Sequence, residues 1–141
     1  MTTRFLAAVA ELYSPTADRR VLDTPAEKIL YRGRAPVLAP AAGPGHGLVL
    51  GFMDSAGIVG SHLVVAGELY RHREPVAYFV SMLKAGIFFL EIDIHPDRRE
   101  VTTESGPAGP RVFKDWSVQA AHAGKNPCWS LPKMVTWDVE E

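Results

Sequence analysis

From residue 48 onward, apolar and polar positions alternate with a period near two, and turn signals recur about every ten residues. Successive side chains of a strand point to opposite faces. The pattern therefore predicts strands near 48–54, 58–70, 75–83, 87–95 and 100–104, and a last one at 134–139. The stretches "DSAG", "RHRE", "KAG" and "PDRR" supply the turns between them. Connections this short join antiparallel neighbours, because a parallel pair needs a long crossover. Upstream the period lengthens. Phe5, Val9, Leu12 and Tyr13 recur at helical spacing behind a cap at Thr2 or Thr3, and Ser14-Pro15 ends the run. Thr24 and Glu27 form a capping box with Pro25 at the first helical position and Gly33 at the far end. This predicts a short helix over 25–32, with a strand through "KILYR" as the alternative. Residues 35–47 read as a proline- and glycine-rich loop, and 110–124 as a late helix carrying Val112, Phe113, Trp116 and Ala120 on one side. The expected fold is α+β, one domain over residues 1–141. Its core is an antiparallel β-meander, a curled sheet or small β-barrel, with short N-terminal helices and one late helix.

Turn lengths set a register, and the register gathers side chains. With "KAG" and "RHRE" as hairpin loops, Leu63, Val65, Gly67, Leu69, Val76, Tyr78, Val80, Met82, Phe88, Leu90, Ile92 and Ile94 share a chargeless face, the expected core. The second face is split. Val64, Ala66, Phe79, Leu83, Ile87 and Phe89 fall at one end. Glu68, Tyr70, Glu91, Asp93 and His95 fall at the other. Folded into a barrel, this face is a cavity with an apolar floor and an acidic mouth.

That mouth carries the candidate chemistry. Neighbouring carboxylates resist ionising together, so one is held protonated toward neutral pH, and an imidazole beside it completes a proton-transfer pair. In this reading Glu91 or Asp93 is the base, His95 its partner, and Tyr70 a hydrogen-bond donor to a developing oxyanion, with Glu68 alongside. Phe79, Leu83 and Phe89 form the apolar ligand wall. The competing reading makes the same carboxylates a solvated face, paired with Arg71, Arg73, Arg98 and Arg99. A single histidine among oxygen donors makes a poor metal centre, and no metal or cofactor is expected.

Composition narrows the rest. The 141 residues carry a net charge of −1, and the only basic runs are pairs, so a nucleic-acid partner is not expected. One cysteine, Cys128, excludes an intramolecular disulfide and a thiolate zinc site. The longest apolar stretch is interrupted by Lys84, Glu91 and Asp93, which argues against a membrane span. His46 and His72 read as exposed and His122 as structural at the end of the late helix; His62 beside Ser61 lacks the elbow that a nucleophile needs, and Trp116, Trp129 and Trp137 read as core or interface anchors. The expectation is a cytoplasmic protein binding a small molecule, with isomerase-, cyclase- or lyase-type proton transfer. The alternative is a non-catalytic assembly module whose apolar second face pairs with another subunit, as in a homodimer.

Overall fold

The computed structural model describes residues 2–15, 20–40, 48–71, 74–95, 99–102, 111–125, 129 and 131–139. His46, His72, Arg73, Arg98 and Cys128 lie outside them, as do most of the "PDRR" turn and the end of the strand expected at 100–104.

The chain begins with a strand, not a helix: β1 spans Thr2–Glu11. Thr3, Phe5, Ala7 and Val9 are buried on one side. The register slips between Ala8 and Ala10 where β1 pairs with its neighbour, so Ala10 is buried as well. That bulge breaks strict alternation and leaves Phe5, Val9 and Leu12 at spacings that imitate a helix. A left-handed Tyr13 (φ 64°) turns the chain toward β2, Arg20–Leu22. The expected helix at 25–32 is also a strand, β3, Pro25–Leu30, followed by β4, Ala35–Leu38, inside the expected loop. The capping residue is spent locally: Thr24 donates both its backbone N–H (2.7 Å) and its hydroxyl (3.1 Å) to Asp23 Oδ1.

β5 (Val49–Val59) and β6 (His62–Leu69) form a long antiparallel hairpin, so "DSAG" is strand and the turn falls at Gly60-Ser61. Gly60 takes φ 61°, which suits a glycine in such a turn. Gly67 allows an unusually close approach, because a Cβ there would sit 1.8 Å from the carbonyl oxygen of Phe52. Among the described residues the one helix, α1 (Val76–Lys84), stands where a strand was expected. Its buried residues Val76, Val80 and Leu83 follow helical spacing. β7 (Phe89–Ile94) and β8 (Arg99–Thr102) match the expected strands. The expected late helix is two strands, β9 (Arg111–Lys114) and β10 (Trp116–Gly124), separated by Asp115 at φ 53°. β11 spans Val135–Val139.

The main sheet runs β11-β1-β6-β5-β4-β10-β3, with β7 pairing the other edge of β10. It is mixed: β3 and β4 run parallel to β10, in succession along one edge, while the remaining pairs are antiparallel. A second sheet, β2-β9-β8, lies beside it. The fold is thus a strand-rich α+β arrangement and not the simple meander. The main sheet curls until β7 packs against β1, yet among the described residues no ladder joins them and the barrel stays open. Phe5, Val9, Val37, Leu50, Leu63, Val65, Leu69, Trp116 and Val118 fill the core, with α1 and Phe113 packed into the same cluster. Each such large side chain contributes about 1.5–3 kcal/mol by leaving water.

Candidate functional site

The open seam between β1 and β7 creates the candidate site. A cleft of about 170 Å³ runs along β7, lined by Val9, Arg20, Leu22, Leu90, Glu91, Ile92, Asp93, Ile94, Phe113, Trp129 and Leu131. β1 contributes Val9 to the apolar lining, and β2 contributes Arg20 and Leu22. Trp129 is fixed by an indole N–H bond to the Ser14 carbonyl (3.2 Å).

Alternation along β7 sorts its side chains. Leu90 is buried in the core, and Ile92 and Ile94 pack against it. Glu91 and Asp93 take the other face. There the antiparallel ladder with β10 sets His122 opposite Glu91 and Ala120 opposite Asp93. His122 Nδ1 reaches diagonally to Asp93 Oδ2 and bonds it. Glu91 is bent over Gly124, where a Cβ would lie 3.0 Å from its carboxyl carbon. Glu91, Asp93 and His122 therefore share one small patch of sheet, and the two carboxyls of that patch also line the cleft.

Burial governs its electrostatics. Desolvation pushes the Asp93 carboxyl above its usual range, and the attraction of His122 only partly offsets it. Glu91 is raised by desolvation too, and further by the negative charge of Asp93, while His122 and Arg20 pull the other way. Two carboxyls of raised proton affinity beside an imidazole can hold and pass a proton.

Of the residues chosen from sequence, the structure brings Glu91 and Asp93 together. It takes the others elsewhere. The register meant to unite them required 75–83 to be a strand paired with β6 and β7, but β6 pairs with β1 and β5 and β7 pairs with β10. Glu68 stands in a row between Arg4 and Phe52. Arg4 binds Asp54 with two hydrogen bonds (2.7 and 3.1 Å), which hold Asp54 below the usual carboxylate range. Tyr70 packs its ring 6.2 Å from that of Phe52. His95 follows β7, donates its backbone N–H to the Ser117 carbonyl (2.9 Å) and lays its ring against Tyr31 (3.5 Å between centroids). Phe79 and Leu83 belong to α1, Leu83 in the core and Phe79 stacked with Phe88 at 6.1 Å. Phe89 lines a smaller hollow with Ala7, Ala8 and Met134.

His122 and Arg20 were the residues that sequence reasoning missed. His122 falls near the end of the expected late helix over 110–124, where it reads as structural. Reading "WSVQAAHAG" as a strand would have put His122 among the chemistry-bearing residues, but its alanines and its burial on both faces conceal any alternation. Among the described residues no group of three or more His, Cys, Asp or Glu is arranged to hold a metal ion. No helix in the described residues is long and apolar enough to cross a membrane. No family model matches this chain, and neither a curated protein nor a solved structure matches it.

Proposed function

We propose that the chain binds a small, partly apolar molecule in the β1–β7 cleft and moves a proton on it, as an isomerase, cyclase or lyase would. The observation that carries this reading is that Glu91 and Asp93 line a cleft whose other walls are mostly apolar, while His122 bonds Asp93 from the neighbouring strand. Asp93 is the base that takes a proton from a carbon next to a carbonyl, with His122 steadying the carboxylate that results when the proton moves on. Arg20 on the cleft wall supplies positive charge toward which a developing oxyanion can turn, the part given to Tyr70 by sequence alone. Val9, Leu22, Phe113 and Trp129 hold the apolar body of the ligand and keep water from it.

The test is deuterium exchange. A panel of small ketones and β-keto acids is incubated with the protein in D2O, and label at the α-carbon is read by NMR. Exchange catalysed by the wild type and reduced at least about 100-fold in Asp93→Asn, a usual worth of a general base, supports the reading. Exchange that persists in Asp93→Asn, or a panel that never perturbs cleft resonances, contradicts it.

Assembly is a second reading, favoured by an observation at a different place from the face first expected to do it. Among the described residues β11 pairs on one side only, with β1, and its Val135, Trp137 and Val139 are exposed beside exposed Leu6. An apolar sheet edge of this kind accepts another strand.

A further inference from the structure

A different feature lies where β3 hands over to β4 along the same edge of β10. The β3 ladder ends at Leu30 opposite Val118, and the β4 ladder starts at Val37 opposite Ala121. Between them Tyr31 still bonds the Val118 carbonyl through its N–H (2.9 Å), and Arg32–Arg34 leave the sheet in a turn closed by the Gly33 N–H to the Leu30 carbonyl (3.0 Å), with Gly33 at φ 78°. The break opens a hollow of about 290 Å³ lined by Tyr31, Arg32, Arg34, Pro36 and Gln119.

The lining has a definite charge. Arg32 and Arg34 both contribute to it, and the end of the Lys28 side chain lies over Gly33 in the same turn. Among the described residues the lining contains no carboxylate. The carboxylate that Arg34 does influence, Asp54, is already bound by Arg4 through both its oxygens. In a chain of net charge −1 this is a local excess of cations. Both guanidiniums lie near aromatic rings, Arg34 in stacking contact. Arg34 lies over the Phe52 ring, 3.4 Å from its centroid, and Arg32 over Tyr31 at 5.6 Å. A guanidinium stacked on a ring keeps its N–H donors in one plane at its rim, where they can grip an oxyanion two at a time.

We propose that this hollow binds the phosphate group of a soluble small molecule. Arg32 and Arg34 take the phosphate oxygens, Lys28 adds charge, and Gln119 offers an amide N–H to the oxygen nearest the sheet. Tyr31 and Pro36 border the organic part. The site is separate from the β1–β7 cleft and does not rest on the proton-transfer reading.

Inorganic pyrophosphate is the probe, titrated into the full chain and followed by backbone amide shifts. Saturable binding is expected, with shifts confined to residues 31–36 and the neighbourhood of Gln119. The Arg32→Ala/Arg34→Ala double variant is expected to bind at least about tenfold more weakly. The Arg32→Lys/Arg34→Lys variant is expected to weaken too, because it keeps the charges and loses the planar forks. All these positions are exposed on a turn, and unchanged melting temperatures establish that the variants fold. Wild-type affinity in the lysine variant reduces the site to general attraction for anions and overturns the proposal. So does unaltered binding in the alanine variant, or a wild-type titration that does not saturate.

Discussion

At Asp93 two effects of opposite sign meet on a single carboxyl, and burial is the larger. The consequence for stability follows from linkage. A carboxyl whose folded pKa is raised favours folding below its unfolded value, about 3.9, and that contribution is lost as pH rises through the folded pKa. Asp54, held low by Arg4, does the reverse: its contribution is present above about 3.9 and is lost as pH falls through its own folded value. Asp93→Asn fixes the neutral form. Its melting temperature is therefore expected to equal or slightly exceed that of the wild type at neutral pH, by less than about 4 °C, or about 1 kcal/mol for a domain of this size. The difference should vanish as the pH is lowered toward 4. Melting curves of the two proteins between about pH 3 and pH 8 check this; a variant markedly less stable at neutral pH would show that the ion pair with His122 outweighs burial.

Among the elements, what the sequence revealed depends on whether one period dominated. "LEIDI" alternates strictly, and β7 with its Glu91–Asp93 face was legible from it. "VAYFVSMLK" is apolar at nearly every position, so alternation and helical spacing fit it equally, and only burial separates them. β1 and β10 carry bulges, and β10 is packed on both sides, which erased the signal that identifies a strand. The late helix could not be rejected from residues alone, and with it went His122. The two readings of 76–84 differ in a testable way. As a helix it exposes Tyr78 and buries Leu83 completely; as the expected strand it put Tyr78 in the core and Leu83 on the second face. Tyr78→Lys is expected to cost less than about 0.5 kcal/mol, as surface changes do. Leu83→Ala is expected to cost about 2–5 kcal/mol. Urea denaturation of both variants measures this, and the opposite ranking would restore the strand.

Taken together, the described residues form a curled mixed sheet that stops short of closing, and both its candidate cleft and its exposed edge come from that. The seam between β1 and β7 leaves the cleft along β7, and the far end of the sheet leaves β11 with one neighbour among the described residues. A second copy adding to β11 would make a continuous sheet across a twofold axis. Sedimentation should then show a dimer that Trp137→Lys converts to monomer while the melting curve of the monomer stays cooperative; a wild type that is monomeric at high concentration removes the assembly reading. The proton-transfer reading depends on Glu91 and Asp93 being desolvated beside His122, as opposed to lying on a solvated, ion-paired face. Carbon-detected NMR titration of the two side-chain carboxyls measures that state directly. The account predicts midpoints above the ordinary values of about 4.3 and 3.9. In His122→Gln both should rise further, since the attraction of His122 lowers both. Midpoints at or below the ordinary values, unmoved by that substitution, would contradict it.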